Sequence, residues 1–197
     1  MKTLEDYIAF DLEFNQYEGA YQIIQVSAVR FTDGKEVDHY DSYVYTDKPL
    51  KSFINGLTGI TQDKIQNAPQ LEQVLDEFKA FVGDRPLIGY NAKKSDLPIL
   101  LENGLDLVDQ YDVDVFDEAF ERRPSDLHGI KNLQLHTVAE FLGVAGKSHD
   151  SLEDARMTAL VYEQFLEFDQ GRTLLEKQEN FSTNPFGGLD LSGFFDE

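Results

Sequence analysis

The chain opens on alternating apolar and polar positions. Ile8, Phe10, Leu12 and Phe14 alternate with Ala9, Asp11 and Glu13, which predicts a strand over residues 7–14. Residues 21–31 are rich in β-branched and aromatic side chains and predict a second strand. Asp33-Gly34 is a hairpin turn signal, and residues 37–45 predict a third strand, so the first three strands form an antiparallel meander. Asp47-Lys48-Pro49 breaks it.

The period then lengthens. Leu71, Val74, Leu75, Phe78 and Phe81 recur at helical spacing. Residues 86–90 predict a short buried strand, and Ser95 is placed to cap a helix running through Leu101. Residues 112–116 predict a fifth strand leading into a helix, and residues 134–142 another helix, ended by Gly143. Ser151 opens a long helix whose Leu152, Ala155, Ala159, Tyr162 and Leu166 form one apolar stripe. Gly171 is expected to end or kink it. Three strands followed by alternating helices and strands predict an α/β fold, a mixed sheet with helices packed on it. The pattern stops near Asn180, so residues 1–180 form one domain and 181–197 a flexible acidic tail.

Composition narrows the classes. The 197 residues suffice for one well-buried domain. There is no cysteine, which excludes disulfides and thiolate metal sites and fits a reducing cytoplasm. No stretch is apolar enough to span a bilayer, and the polar, acidic start does not read as a signal peptide. Thirty-seven acidic residues against 17 basic ones leave a net charge of −20. Phosphate binding by counterion release needs the opposite sign. Either nucleic acid is not the ligand, or carboxylates recruit cations that neutralise phosphate locally.

The carboxylates bear on that choice. Asp11 and Glu13 share one face of the predicted first strand. Side by side in an apolar setting they repel, and a hard divalent cation taking oxygen ligands resolves the conflict; an exposed face is the bland alternative. Asp96 follows a strand-to-helix loop, where α/β folds put ligand sites, although an acid also suits any first helical turn. Asp154 falls in the first turn of the last helix, behind the capping residues of Asp150-Ser151. His149, in the loop before that cap, can fold over the helix start and act as a general base near neutral pH. His39, His128 and His136 have no comparable setting.

Taken in order, these segments resemble the DEDDh exonucleases of the ribonuclease H-like superfamily, the group that includes the proofreading epsilon subunit of bacterial DNA polymerase III. The resemblance rests on Phe10-Asp11-Leu12-Glu13, on Asn91-Ala92-Lys93-Lys94-Ser95-Asp96 and on His149-Asp150-Ser151-Leu152-Glu153-Asp154-Ala155. A further stretch, Leu57-Thr58-Gly59-Ile60-Thr61 followed by Ala68-Pro69, fits the region that lines the family's 3′-end pocket. The resemblance implies a three-layer ribonuclease H-like fold, a mixed five-stranded sheet with helices on both faces. It implies two Mg²⁺ or Mn²⁺ ions on Asp11, Glu13, Asp96 and Asp154, with His149 as the base. The expected substrate is the 3′ end of single-stranded DNA or RNA, released as nucleoside 5′-monophosphates, with Phe14, Leu57, Thr58 and Asn91 near the last nucleotide.

Phe14-Asn15-Gln16 departs from the small residues many relatives carry after the Asp-x-Glu pair, which leaves substrate choice open. Phe14 can equally face inward, since it shares parity with Leu12. The tail, ending in paired Phe194-Phe195, is read as a disordered end, with a protein partner as the other possibility. The competing reading is a non-catalytic nuclease-like module that uses its acidic surface or tail for protein contacts.

Overall fold

The computed structural model describes residues 1–144 and 150–183, with side chains described to residue 175. Strand β1 (Asp6–Tyr17) pairs antiparallel with β2 (Ala20–Thr32), which pairs antiparallel with β3 (Lys35–Tyr43). On its other side β1 pairs in parallel with β4 (Leu87–Gly89), and β4 in parallel with β5 (Tyr111–Asp114). The sheet order is β3-β2-β1-β4-β5, so the expected mixed five-stranded sheet and its antiparallel meander are both present.

Alternation along β1 builds two layers. Ile8, Phe10 and Leu12 point into a core shared with α3 (Leu71–Val82) and α4 (Asp96–Glu102). Tyr7 and Ala9 point the other way, into a core shared with α5 (Val115–Arg122), α6 (Leu135–Phe141) and α7 (Ser151–Thr183). Helices therefore cover both faces, giving three layers. Helix α7 contributes the expected stripe of Ala155, Ala159, Tyr162 and Leu166, widened by Met157, Val161 and Phe165.

Several local expectations need correction. Strand β3 ends at Tyr43 rather than Tyr45, because the chain turns away and the Tyr45 N–H donates to Pro69 O at 2.9 Å. Strand β5 ends at Asp114, whose side chain caps α5 by accepting from the Phe116 N–H at 3.1 Å. Helix α7 does not end at Gly171; it runs on to Thr183, and a single glycine costs only about 0.5–1 kcal/mol there. Ser95 occupies the cap position of α4, but its hydroxyl bonds the Asp96 carboxylate and the Asn91 carbonyl instead of a helix N–H. Two short helices, α1 (Ser52–Thr58) and α2 (Gln62–Ile65), were not foreseen. The tail expected over residues 181–197 lies almost wholly outside the described residues, and the start of that span is still helix. Among the described residues, no helix is long and apolar enough to cross a membrane.

Candidate active site

Asp11 and Glu13 project from β1 toward the start of α7, and Asp154 projects from the first turn of that helix. Carboxylate oxygens of the three lie within 4.8 Å of one another, and all three residues are partly buried. The start of α7 is held from both ends. The Asp150 carboxylate accepts from the Leu152 and Glu153 N–H groups at 3.1 and 3.4 Å, a helix cap. The buried Ser151 hydroxyl bonds the buried Ser27 hydroxyl on β2, directly opposite Asp11 in the strand register. Ser27 in turn donates to Asp41 on β3 at 2.7 Å. A line of hydrogen bonds from β3 through β2 thus anchors the helix turn that carries Asp154.

Asp96 reaches the same region from the other layer. The Ile8 N–H donates to Pro86 O, so even-numbered N–H groups of β1 face β4. The last β1–β4 pair is Ala9 with Ile88, which leaves the Leu12 N–H beyond the end of the neighbouring strand. The Asp96 carboxylate takes the missing neighbour's place and accepts that N–H at 3.1 Å, between Asp11 and Glu13 in sequence. Asp96 is nearly fully buried and does not join the 4.8 Å cluster of the other three.

The loop that delivers Asp96 is itself organised by Asp114. Its buried carboxylate accepts from the N–H groups of Asn91 at 2.7 Å and Lys93 at 3.3 Å, besides capping α5. Asn91 needs this support, because its φ of 59° lies in the left-handed region. Sequence reading passed over Asp114; its place at a strand end before a helix was the available signal.

Electrostatics point to a cation. Burial first, then the charges of Asp96, Asp154, Glu13 and Asp150, raise the Asp11 pKa well above the ordinary carboxylate range. Burial, then Asp154, Asp96 and Asp150, push Glu13 up to about 7. Burial pushes Asp96 up to about 6, against the opposing hydrogen bonds from Ser95, the Leu12 N–H and its own N–H. Every charge named beside Asp11 and Glu13 is negative. Clustered oxygen donors of like charge, partly buried and partly open to solvent, fit a hard divalent ion such as Mg²⁺ or Mn²⁺.

The other expected site residues fall as follows. Phe14 is half-buried, packed on the α3–α4 core and edge-to-face with Tyr21 at 5.3 Å. Leu57 is exposed on α1. Thr58 is buried, its hydroxyl donating to Ile54 O and accepting from the Ile60 N–H. Asn91 sits at the head of the Asp96 loop, with its carbonyl accepting from the Ser95 hydroxyl. His149 lies outside the described residues.

A five-stranded mixed sheet with acids on its central strand and at two helix starts defines the ribonuclease H-like nuclease architecture. Residues 8–162 match the RNase_T family, described as "Exonuclease". The chain belongs to this exonuclease family. Among curated relatives, the DNA polymerase III PolC-type of Caldanaerobacter subterraneus subsp. tengcongensis is 30% identical over 164 residues, 82% of this chain and 12% of that protein. The PolC-type polymerase of Halalkalibacterium halodurans is 38% identical over 88 residues, 44% of this chain and 6% of that protein. The chain thus spans only about a tenth of such relatives' length. Among solved structures, the nuclease domain of 3′hExo, a DEDDh family member bound to rAMP, superposes with a TM-score of 0.67 at 21% identity, over 83% of this chain and 92% of that one. E. coli Exonuclease I in complex with a dT13 oligonucleotide gives 0.70 at 16% identity, over 87% and 43%.

Proposed function

We propose that the chain is a metal-dependent 3′→5′ exonuclease that shortens single-stranded DNA or RNA and releases nucleoside 5′-monophosphates. The observation that carries this reading is the convergence of Asp11, Glu13 and Asp154 within 4.8 Å, from a strand and a helix start. Asp11, Glu13 and Asp154 would hold the divalent cations directly, and Asp96, nearly buried behind them, would hold a second ion through water. Bound there, the ions would supply Lewis-acid stabilisation of the attacking and leaving oxygens. His149 would accept the proton from the attacking water.

Two features of the chain favour attack at an end. The net charge of −20 opposes any long track along phosphates, so grip on the strand falls to the metal-bound terminus. Exposed Leu57, with half-buried Phe14 and Asn91 at the loop head, would pack the last nucleotide. Thr58 would act from beneath, by ending α1.

The test uses 5′-labelled single strands of matched DNA and RNA with Mg²⁺ or Mn²⁺, with and without EDTA. A ladder of shortened labelled products that EDTA abolishes is expected. No shortening of either strand under either metal would leave the non-catalytic module as the better reading.

A further inference from the structure

We infer that Asn15 is a positioning residue for the terminal-nucleotide pocket, fixing helix α1 to the strand that carries the metal ligands. This rests on the exonuclease reading above and adds a determinant of substrate binding to it.

Asn15 follows Glu13 by two residues on β1 and is fully buried. An amide in a strand interior is costly unless its polar atoms are paired. Here both donors and the acceptor are used. Nδ2 donates to Pro49 O and to Gln22 Oε1, each at 3.3 Å, and Oδ1 accepts the Lys51 N–H at 3.2 Å. Exchanging the amide's N and O would set donor against donor at Lys51 and acceptor against acceptor at Pro49, so the pairing fixes its orientation.

The partners form a closed ring. The Gln22 carbonyl oxygen also accepts from the Thr46 hydroxyl at 3.4 Å. The Thr46 backbone oxygen accepts from Gln62 Nε2, and Gln62 Oε1 accepts the Leu50 N–H, both at 3.3 Å. Residues 46–51 are therefore held by side chains from β1, β2 and α2.

The segment so held leads directly into α1. Lys51 is the cap position of α1 and makes no side-chain cap hydrogen bond, so the helix start is set from outside by Asn15. Phe53 and Leu57, four residues apart on that helix, are 58% and 49% exposed and share one side. Large apolar side chains left in solvent on a helix tied to the Glu13 strand suit a base or sugar better than a core. The Asn15 side chain thereby couples the distance between α1 and the carboxylates to one buried amide.

Two substitutions attack the same hydrogen bond from opposite sides. Asn15→Ala removes the amide. Lys51→Pro removes the N–H it accepts, at an exposed residue whose φ of −63° already suits proline. Lys51→Ala keeps that N–H and removes only the charge. Steady-state shortening of a 5′-labelled single strand by the full chain in Mn²⁺ gives KM, kcat and the Mn²⁺ half-saturation. Asn15→Ala and Lys51→Pro are expected to raise KM about fivefold or more. Their kcat and Mn²⁺ half-saturation stay near the wild type, as does the KM of Lys51→Ala.

An unchanged KM in Lys51→Pro, with an active wild type, overturns the inference. So does a parallel shift of kcat and Mn²⁺ half-saturation, which would assign Asn15 to the carboxylates, or a Lys51→Ala effect equal to that of Lys51→Pro. If Asn15→Ala fails to fold, Lys51→Pro decides. A wild type that shortens nothing removes the exonuclease reading, and this inference with it.

Discussion

The Leu12 N–H, flanked in sequence by two acids of the cluster, donates to the buried Asp96 carboxylate at 3.1 Å. That contact joins the fourth acid to the strand of the first two, and gives Asp96 a structural duty separable from its chemical one. Asp96→Asn keeps an acceptor for Leu12 and loses the charge. Asp96→Ala loses both and leaves a buried N–H unpaired, at a cost of about 1–3 kcal/mol. Thermal denaturation should therefore show Asp96→Ala well below the wild type and Asp96→Asn near it or above. Both should lose on the order of 100-fold in kcat/KM. An Asp96→Asn protein as unstable as Asp96→Ala would contradict this division.

Asp114 should behave as a support for the loop. Removing it by Asp114→Ala frees the N–H groups of Asn91, Lys93 and Phe116, and should cost about 3 kcal/mol in urea denaturation. Turnover of the folded fraction should fall as well, since Asp96 rides on that loop. Loss of stability with full turnover would show that the loop holds its shape without Asp114.

The acidic cluster predicts a pH dependence for the metal-free protein. Folding raises the Glu13 pKa from 4.5 to about 7, and raises that of Asp11 too. The native state thus binds protons more tightly than the unfolded chain. The resulting stability is fully present below about pH 4.5 and is lost as pH rises through about 7. In EDTA, Tm should fall between these limits; with Mn²⁺ the fall should shrink, because the ion compensates the ionised carboxylates. Glu13→Gln should flatten the metal-free curve. Asp6 and Asp169, whose pKa values are lowered, act in a separate window below about 3.8. A metal-free Tm that rises through neutral pH would refute the assignment.

His149, as the proposed base, should matter for rate and not for metal. His149→Ala is expected to slow turnover by about 10²–10⁴-fold while Mn²⁺ still binds. Unchanged turnover would exclude it.

Much of this was legible in the sequence where chemistry follows a short period. Alternation along β1 placed Asp11 and Glu13 on one face, and the helix-start signal before Asp154 placed it at the head of α7. Other features rest on contacts distant in sequence. Asp96 fills a gap left because β4 stops at Gly89, which no local pattern announces. Asn15 matters through Pro49 and Lys51, more than thirty residues away. Helix α1 buries only Ile54 and Thr58, too few for a readable period. Gly171 does not end α7, because a weak local preference yields to a long helix already docked on the sheet.

The central claim is that Asp11, Glu13 and Asp154 act together as a metal-binding catalytic site. Calorimetric titration of Mn²⁺ into the wild type and Asp11→Asn at pH 7.5, with strand shortening measured on the same preparations, tests it most directly. The wild type should bind Mn²⁺ and shorten the strand. Asp11→Asn should bind more than about tenfold more weakly and lose turnover in parallel, with no loss of Tm. An Asp11→Asn protein that binds Mn²⁺ like the wild type, or shortens strands at the wild-type rate, would contradict it.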